Sequence, residues 1–548
     1  MEEKEITIEV KHPEIIILLA FLCIALFLEL QVTLNSHITF GDEGFHARIS
    51  QVIAENVEYP KWTPVGETEI DKTTFSRPPL WNFLGASLFF IFGFNEWLLK
   101  ALIPFIGSIL IGISTFVLTK RIYNSKVALI ASILTVSVPC IVTYSTLYYT
   151  EILFTLYFFA SILTLITAIK TDKKKYWILS GIFCGLSFLT KAPAFALFPL
   201  VAVVFLYQLY NERNFSKILK KYILWGLFAG LLIIPFFVRG YALYKNPSCN
   251  MPVFPFFSIE GCAYHHGPEQ QYEFSGVAEQ VGTELDIFRL GLNEYFKFAY
   301  GYYFNFAGVD IVVIMLAFLC GLGILMWKKQ TDDIIILLAL FSIFFIIIRN
   351  YDTRAENMNR WLLGWTPIIA LIAGNYFVAI YDFIAKYYKK IALIIFVIVL
   401  CFSFMNLQEK TSTMAQVKAF SPLFFEACDW IKENTAKDIR IGNVVWGSAT
   451  TFNCQRDIGG GGADVSLSQN LTLMLSELKM YNTTHLFIQK FSISWTDQKL
   501  SEKYPISYVE FLENNLEHFK KIFENGPSLS ECQAAGGCDG TIVYEIVY

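Results

Sequence analysis

Apolar runs divide most of this chain, and only alternate loops between them carry clusters of cations. The runs extend from Ile15 to Leu34, Leu98 to Leu118, Val127 to Val142, Ile152 to Ile169, Trp177 to Leu189, Phe195 to Leu209 and Ile223 to Phe237. Four more follow, Val309 to Met326, Ile334 to Ile348, Trp361 to Ile380 and Ile391 to Phe404. Segments of this length and composition, repeated in series, are the mark of helices that cross a bilayer. A hydrophobic fraction of 55% and an aromatic fraction of 16% exceed what a soluble core of 548 residues needs. A net charge of −4, with basic residues in short blocks, argues against nucleic acid as a partner.

The cation blocks orient the chain. Lys120, Arg121 and Lys126 form the first, Lys170, Lys173, Lys174 and Lys175 the second, and Arg213, Lys217, Lys220 and Lys221 the third. Lys328 with Lys329, and Lys386 with Lys389 and Lys390, complete the set. The positive-inside rule places all five blocks in the cytoplasm, with the N-terminus inside and the C-terminal segment outside. The run from Leu80 to Phe94 would reverse this order if it crossed, so it reads as an interfacial or re-entrant helix. The first run has no small-residue cleavage site and reads as a retained signal anchor. The expectation is a polytopic α-helical protein of the cell membrane with about eleven transmembrane helices, in a catalytic module over 1–406.

Outer segments then comprise a first loop over 35–95, a long loop over 240–308 and a soluble domain over 407–548. In that last part the apolar pattern shifts to soluble-domain alternation. Phe424 to Asn434 and Leu471 to Tyr481 read as helices, and Ile439 to Val445, His485 to Ile488 and Ile542 to Val547 as strands of a small extracytoplasmic α/β domain. Gly459 to Gly462 lacks a phosphate-loop pattern and reads as a loop. Cys249, Cys262, Cys428, Cys454, Cys532 and Cys538 fall outside, where disulfides form; proximity suggests Cys532 with Cys538 and Cys249 with Cys262. Asn470 and Asn482 head exterior glycosylation sequons.

Candidate chemistry gathers on the outer side. Asp42 and Glu43 sit in a turn just past the first span, although acids at a span end also simply solvate it. Glu151 opens another span, where an ionisable group faces a cavity or a partner, or else complements the helix N-terminus. Arg77, Lys191, Arg239, Arg349, Arg354 and Arg360 are outer cations at loop or span ends. Any one of them could snorkel, but several together suggest a bound phosphate. His46 would share a helix face with Asp42. His265 and His266 lack acid or cysteine neighbours at metal-ligand spacing, and Tyr295 to Tyr303 reads as an aromatic belt. Acids and cations together suit displacement of a lipid phosphate from a sugar, with Asp42 as base.

Four motifs carry a resemblance. Asp42-Glu43, Phe75-Ser76-Arg77-Pro78-Pro79-Leu80, Gly185 to Pro193 with Lys191, and Asn359-Arg360-Trp361-Leu362-Leu363 resemble the C-type (GT-C) glycosyltransferases. The similarity covers about residues 10 to 400 and is greatest to the branch of protein O-mannosyltransferases and lipid A aminoarabinose transferases. The resemblance implies transfer of a sugar, with inversion, from a polyprenyl- or dolichyl-phosphate carrier to a protein, glycan or lipid acceptor. It implies Asp42, rather than its neighbour Glu43, as catalytic base, Glu151 as a second catalytic acid, and Arg77 and Lys191 as ligands of the lipid phosphate; Glu43 stays a catalytic candidate from its place in the turn. Arg239 and Arg360 join them as candidate donors. No cofactor is expected, and a loosely bound divalent cation stays open. Arg77 stands where the family often has Lys, and Glu151 where it often has Asp. The alternatives are a transporter or flippase of lipid-linked sugars without chemistry, and a receptor or assembly protein whose outer domain carries the function.

Overall fold

In a computed structural model of the chain, the described residues are 13–39, 42–61, 72–73, 77–212, 214–244, 264–265, 319–326, 330–342, 360, 363–418, 421–442, 447–458, 470–490, 507–534 and 538–548. Cys249, Cys262, His266, Arg349, Arg354, the stretch 295–303 and the glycine run 459–462 lie outside them.

Among the described residues, seven helices are long and apolar enough to cross a membrane. The chain is a multi-pass membrane protein with a small sheet domain at its C-terminal end. The first crossing helix, α1 (Pro13–Leu34), leads into α2 (Glu43–Asn56), an amphipathic helix of the loop that follows it. Next comes α3 (Leu80–Phe92). At 13 residues it is about 20 Å long, too short to cross the hydrocarbon core. It lies against α2 where Gly85 replaces a side chain: a Cβ there would overlap the Tyr148 hydroxyl and Ser50.

Helices α4 (Glu96–Pro104) and α5 (Ile111–Ile122) join through a π-turn over Phe105–Leu110 into one long crossing helix. Pro104 lacks the amide that an unbroken α-helix would use, and the π-turn absorbs the mismatch. The expected span from Val127 to Val142 is divided into α6 (Ser125–Ser137) and α7 (Pro139–Tyr144). Val138 between them is extended (φ −64°, ψ 130°), the conformation that a following proline favours.

Helices α8 (Glu151–Thr171), α9 (Lys174–Thr190), α10 (Leu197–Glu212) and α11 (Phe215–Tyr244) follow, with a 3₁₀ turn over Ala192–Ala196 before α10. Tryptophans Trp177, Trp225 and Trp365 and phenylalanines Phe154, Phe158 and Phe188 fill the core among α8, α9, α11 and α13 (Thr366–Ala385). Before α13 lies α12 (Thr331–Phe341). The last membrane helix, α14 (Lys389–Val417), runs unbroken past the expected domain boundary at 406.

The cation loops meet one another at one end of the bundle. Lys170 Nζ donates to the Ile122 carbonyl at 2.7 Å and pairs with Asp332 at 2.8 Å, and Lys126 pairs with Asp382 at 2.7 Å.

The C-terminal domain adds helices α15 (Pro422–Asn434), α16 (Gly447–Cys454) and α17 (Leu471–Met480). Two short loop strands, β1 (Lys72–Thr73) and β2 (Tyr264–His265), pair with each other. The domain sheet has β3 (Arg440–Gly442), β4 (Asp457–Ile458), β5 (His485–Gln489), β6 (Phe519–Glu524) and β7 (Thr541–Ile546) in the order β4-β3-β5-β7-β6. Its β3 neighbours are parallel, and the β5–β7 and β6–β7 pairs antiparallel. Strand β5 is buried along its whole length, as the centre of a covered sheet requires. Edge strand β6, with Lys520 and Lys521 outward, was not expected from the sequence.

Disulfides join Cys532 to Cys538, as proximity suggested, and Cys428 to Cys454, a pairing that proximity did not suggest. The second bridge ties α15 to α16. Asn453 donates to the Ile38 carbonyl at 3.0 Å and Asp457 pairs with Arg48 at 3.0 Å, so the domain docks on the segment that follows α1.

Candidate active site

Asp42 immediately precedes α2, and the His46 amide donates to its carbonyl at 3.0 Å to close the first turn. Its own amide donates to the Tyr149 hydroxyl at 2.9 Å, which fixes the turn against the segment before α8. Its carboxylate Oδ2 lies 2.8 Å from Arg360 Nη2. Arg360 also contacts Glu151 through Nε, and its guanidinium stacks 4.7 Å above the Tyr149 ring. Glu151, the fully buried first residue of α8, takes Lys191 Nζ on Oε1 at 2.8 Å. Lys191 is placed by the break between α9 and the 3₁₀ turn, where Pro193 stops the helix.

Four of the expected residues, Asp42, Glu151, Lys191 and Arg360, thus form one connected cluster of two acids and two cations. Burial opposes ionisation of Asp42, but the charge and hydrogen bond of Arg360, with the charge of Arg77, overcome it and hold the carboxyl below its ordinary range. Burial pushes the His46 imidazole down to about 4, against the pull of Asp42. His46 Nδ1 is 3.1 Å from Asn82 Oδ1 on α3, so a neutral ring braces the helix that carries Asp42.

Arg77 and Arg239 form a second group. The Arg77 guanidinium is 4.4 Å from the Phe45 ring centre, and the Tyr59 hydroxyl donates to the Arg77 carbonyl at 2.7 Å. Arg239 stacks 4.7 Å from the same Tyr59 ring and donates to the carbonyls of Tyr59 at 3.1 Å and Pro60 at 2.8 Å. Tyr59 therefore links both arginines to the exit of α2. Neither Tyr59 nor Tyr149 was singled out in the sequence; their nearest signal was an unremarkable aromatic richness.

Glu43 has a different set of partners. Its carboxylate turns away into the protein, where Lys418 Nζ lies at 2.9 Å and the Tyr148 amide donates at 2.8 Å. Lys418 also donates to the Thr146 carbonyl at 2.8 Å, and both charged side chains are sealed from water. Glu43 thus ties α2 to the end of α14, 375 residues away in sequence.

Residues 76–238, under a third of the chain, match the family model described as dolichyl-phosphate-mannose-protein mannosyltransferase. No curated protein matches the chain. ArnT from Cupriavidus metallidurans, solved bound to undecaprenyl phosphate, superposes with a TM-score of 0.61 at 11% identity, over 98% of this chain and 99% of that one. The chain has the GT-C fold.

Two further structures share it. The oligosaccharyltransferase AglB from Archaeoglobus fulgidus, in complex with an inhibitory peptide and a dolichol-phosphate, gives a TM-score of 0.61 at 12% identity over 97% of this chain and 74% of its own. The arabinofuranosyltransferase AftD from Mycobacteria gives 0.51 at 12% identity, over 98% of this chain and 40% of its own. The matched segment 76–238 holds Arg77, Glu151 and Lys191, while Asp42, Arg239 and Arg360 lie outside it.

Proposed function

We propose that the chain is a glycosyltransferase that moves a monosaccharide, mannose or a similar sugar, from a polyprenyl or dolichyl monophosphate to a protein, glycan or lipid hydroxyl at the outer face of the membrane. The observation that carries this reading is the cluster of Asp42, Arg360, Glu151 and Lys191, in which an ionised acid stands beside two cations at the end of the helices. The GT-C fold and the ligands bound to ArnT and AglB, undecaprenyl phosphate and dolichol-phosphate, support a lipid-phosphate donor.

The acceptor oxygen attacks the anomeric carbon from the face opposite the phosphate, which inverts the centre. The bond from that carbon to the phosphate oxygen breaks, its electron pair goes to the phosphate, and the hydroxyl proton passes to Asp42. A carboxylate held below its ordinary range takes a proton only once the hydroxyl has become acidic, so proton transfer comes late, after the leaving bond has stretched. Arg77, Lys191 and Arg239 meet the developing phosphate charge, and Arg offers it a bidentate fork. Glu151 holds Lys191 and Arg360 in place through Oε1.

The experiment is reconstitution of the purified chain with synthetic polyprenyl-monophosphate sugars and a hydroxyl acceptor. The reading expects release of polyprenyl phosphate coupled to an inverted glycoside. Movement of intact lipid-linked sugar across the bilayer without release would instead make the chain a transporter.

A further inference from the structure

The end of the bundle away from Asp42 contains a second place built for charge. Helices α9 and α11 run parallel and pack closely, because Gly181 and Gly185 leave α9 without side chains where α11 crosses it. A Cβ on Gly181 would overlap the Trp225 carbonyl, and one on Gly185 would lie 2.8 Å from Leu232 and 3.2 Å from the Ala229 carbonyl. Parallel, touching helices bring their N-termini together, each with amides that have no partner within the helix.

A cavity of about 430 Å³ lies there, lined by Lys174 at the start of α9, by Lys217, Lys220 and Lys221 on the first turns of α11, and by Asp172 and Trp177. Four ammonium groups face one carboxylate. Asp172 engages Lys221 at 2.6 Å and Lys217 at 3.4 Å, whereas Lys174 and Lys220 have no carboxylate within ion-pair distance among the described residues. Trp177 is 1% exposed, meets Tyr222 edge-on at 5.0 Å, and its indole N–H has no hydrogen-bond acceptor. The groups without partners are all donors or cations, which selects an anion.

We propose that this cavity binds a phosphoryl group, carried by an anionic phospholipid of the leaflet opposite the Asp42 site or by a soluble phosphate. Lys174 and Lys220 supply charge, and Trp177, whose indole N–H has no partner, is part of the lining. The site is about 25 Å from Lys191, the length of the 17-residue helix α9, and stands whether or not the chain transfers sugars.

The test uses the full chain in nanodiscs of phosphatidylcholine, with or without phosphatidylglycerol, and native mass spectrometry to count retained lipid. A parallel arm measures binding of radiolabelled inorganic phosphate in phosphatidylcholine alone. The variant Lys174→Gln/Lys220→Gln should lose retention at least tenfold, while Lys389→Gln/Lys390→Gln, which removes equal charge elsewhere on the same end, should keep it. Trp177→Phe, which keeps the ring and removes the N–H, should weaken retention severalfold even if the double variant fails to fold. Retention of phosphatidylglycerol assigns the group to a lipid, and saturable phosphate binding assigns it to a soluble ligand. Equal loss in both double variants, or retention of neither probe above the phosphatidylcholine background, overturns the proposal.

Discussion

Arg360 holds two carboxylates at once, with Nη2 2.8 Å from Asp42 and Nε on Glu151. One guanidinium thereby joins the turn after α1 to the start of α8. An arriving phosphate competes for the same fork, so donor binding on the proposed reading draws Arg360 from Asp42 and releases the base when the sugar is in place.

Glu151 should act as a positioning residue. Glu151→Gln leaves Lys191 and Arg360 without their shared counter-charge, at a cost of about 3 to 5 kcal/mol of stability. Glu151→Asp keeps the charge and should recover most of the thermal transition, as scanning in detergent will show. Equal stability of wild type and Glu151→Gln would remove this role.

Charge reversal at Arg77 should act on the donor. Loss of a charge-assisted contact raises the donor KM about tenfold to a hundredfold with a smaller change in kcat. Steady-state kinetics with varied donor will separate the two constants, and an unchanged KM argues against phosphate binding by Arg77.

Lys418→Met should leave the Glu43 carboxylate buried without its cation and lower stability by about 3 to 5 kcal/mol. The double variant Glu43→Gln/Lys418→Met should recover much of that loss while retaining transfer activity. A catalytic Glu43 would instead leave the double variant stable and inactive.

His46 makes stability depend on pH. Its folded pKa of about 4 lies below the ordinary 6.5, so the unfolded chain binds the extra proton between those values. Stability therefore rises with pH across that window, by about 3 kcal/mol in all. His46→Gln should flatten this part of the profile in thermal scans from pH 4 to 7.

Much of the architecture is legible in the sequence because lipid-facing helices must be apolar along their whole length. The division at Val138 is also readable, from Pro139, once the conformational restriction before proline is weighed. The site is legible only as residue types. Asp42 and Glu43 are adjacent acids, and successive positions at a helix start point about 100° apart, so which one faces the cations depends on partners far along the chain. Lys418, which captures Glu43, lies in an expected outer segment with nothing to mark it. Tyr59 and Tyr149 gain their roles from contacts with residues dozens to hundreds of positions away, a separation that no local pattern encodes.

The central claim is that Asp42 takes the acceptor proton while the cations hold the donor. The most direct measurement compares Asp42→Asn with wild type in the reconstituted transfer assay, alongside equilibrium binding of the polyprenyl-phosphate sugar to the same folded preparations. The account predicts that transfer falls by about 10²- to 10⁴-fold while donor binding persists. Full transfer activity in a folded Asp42→Asn variant would contradict it.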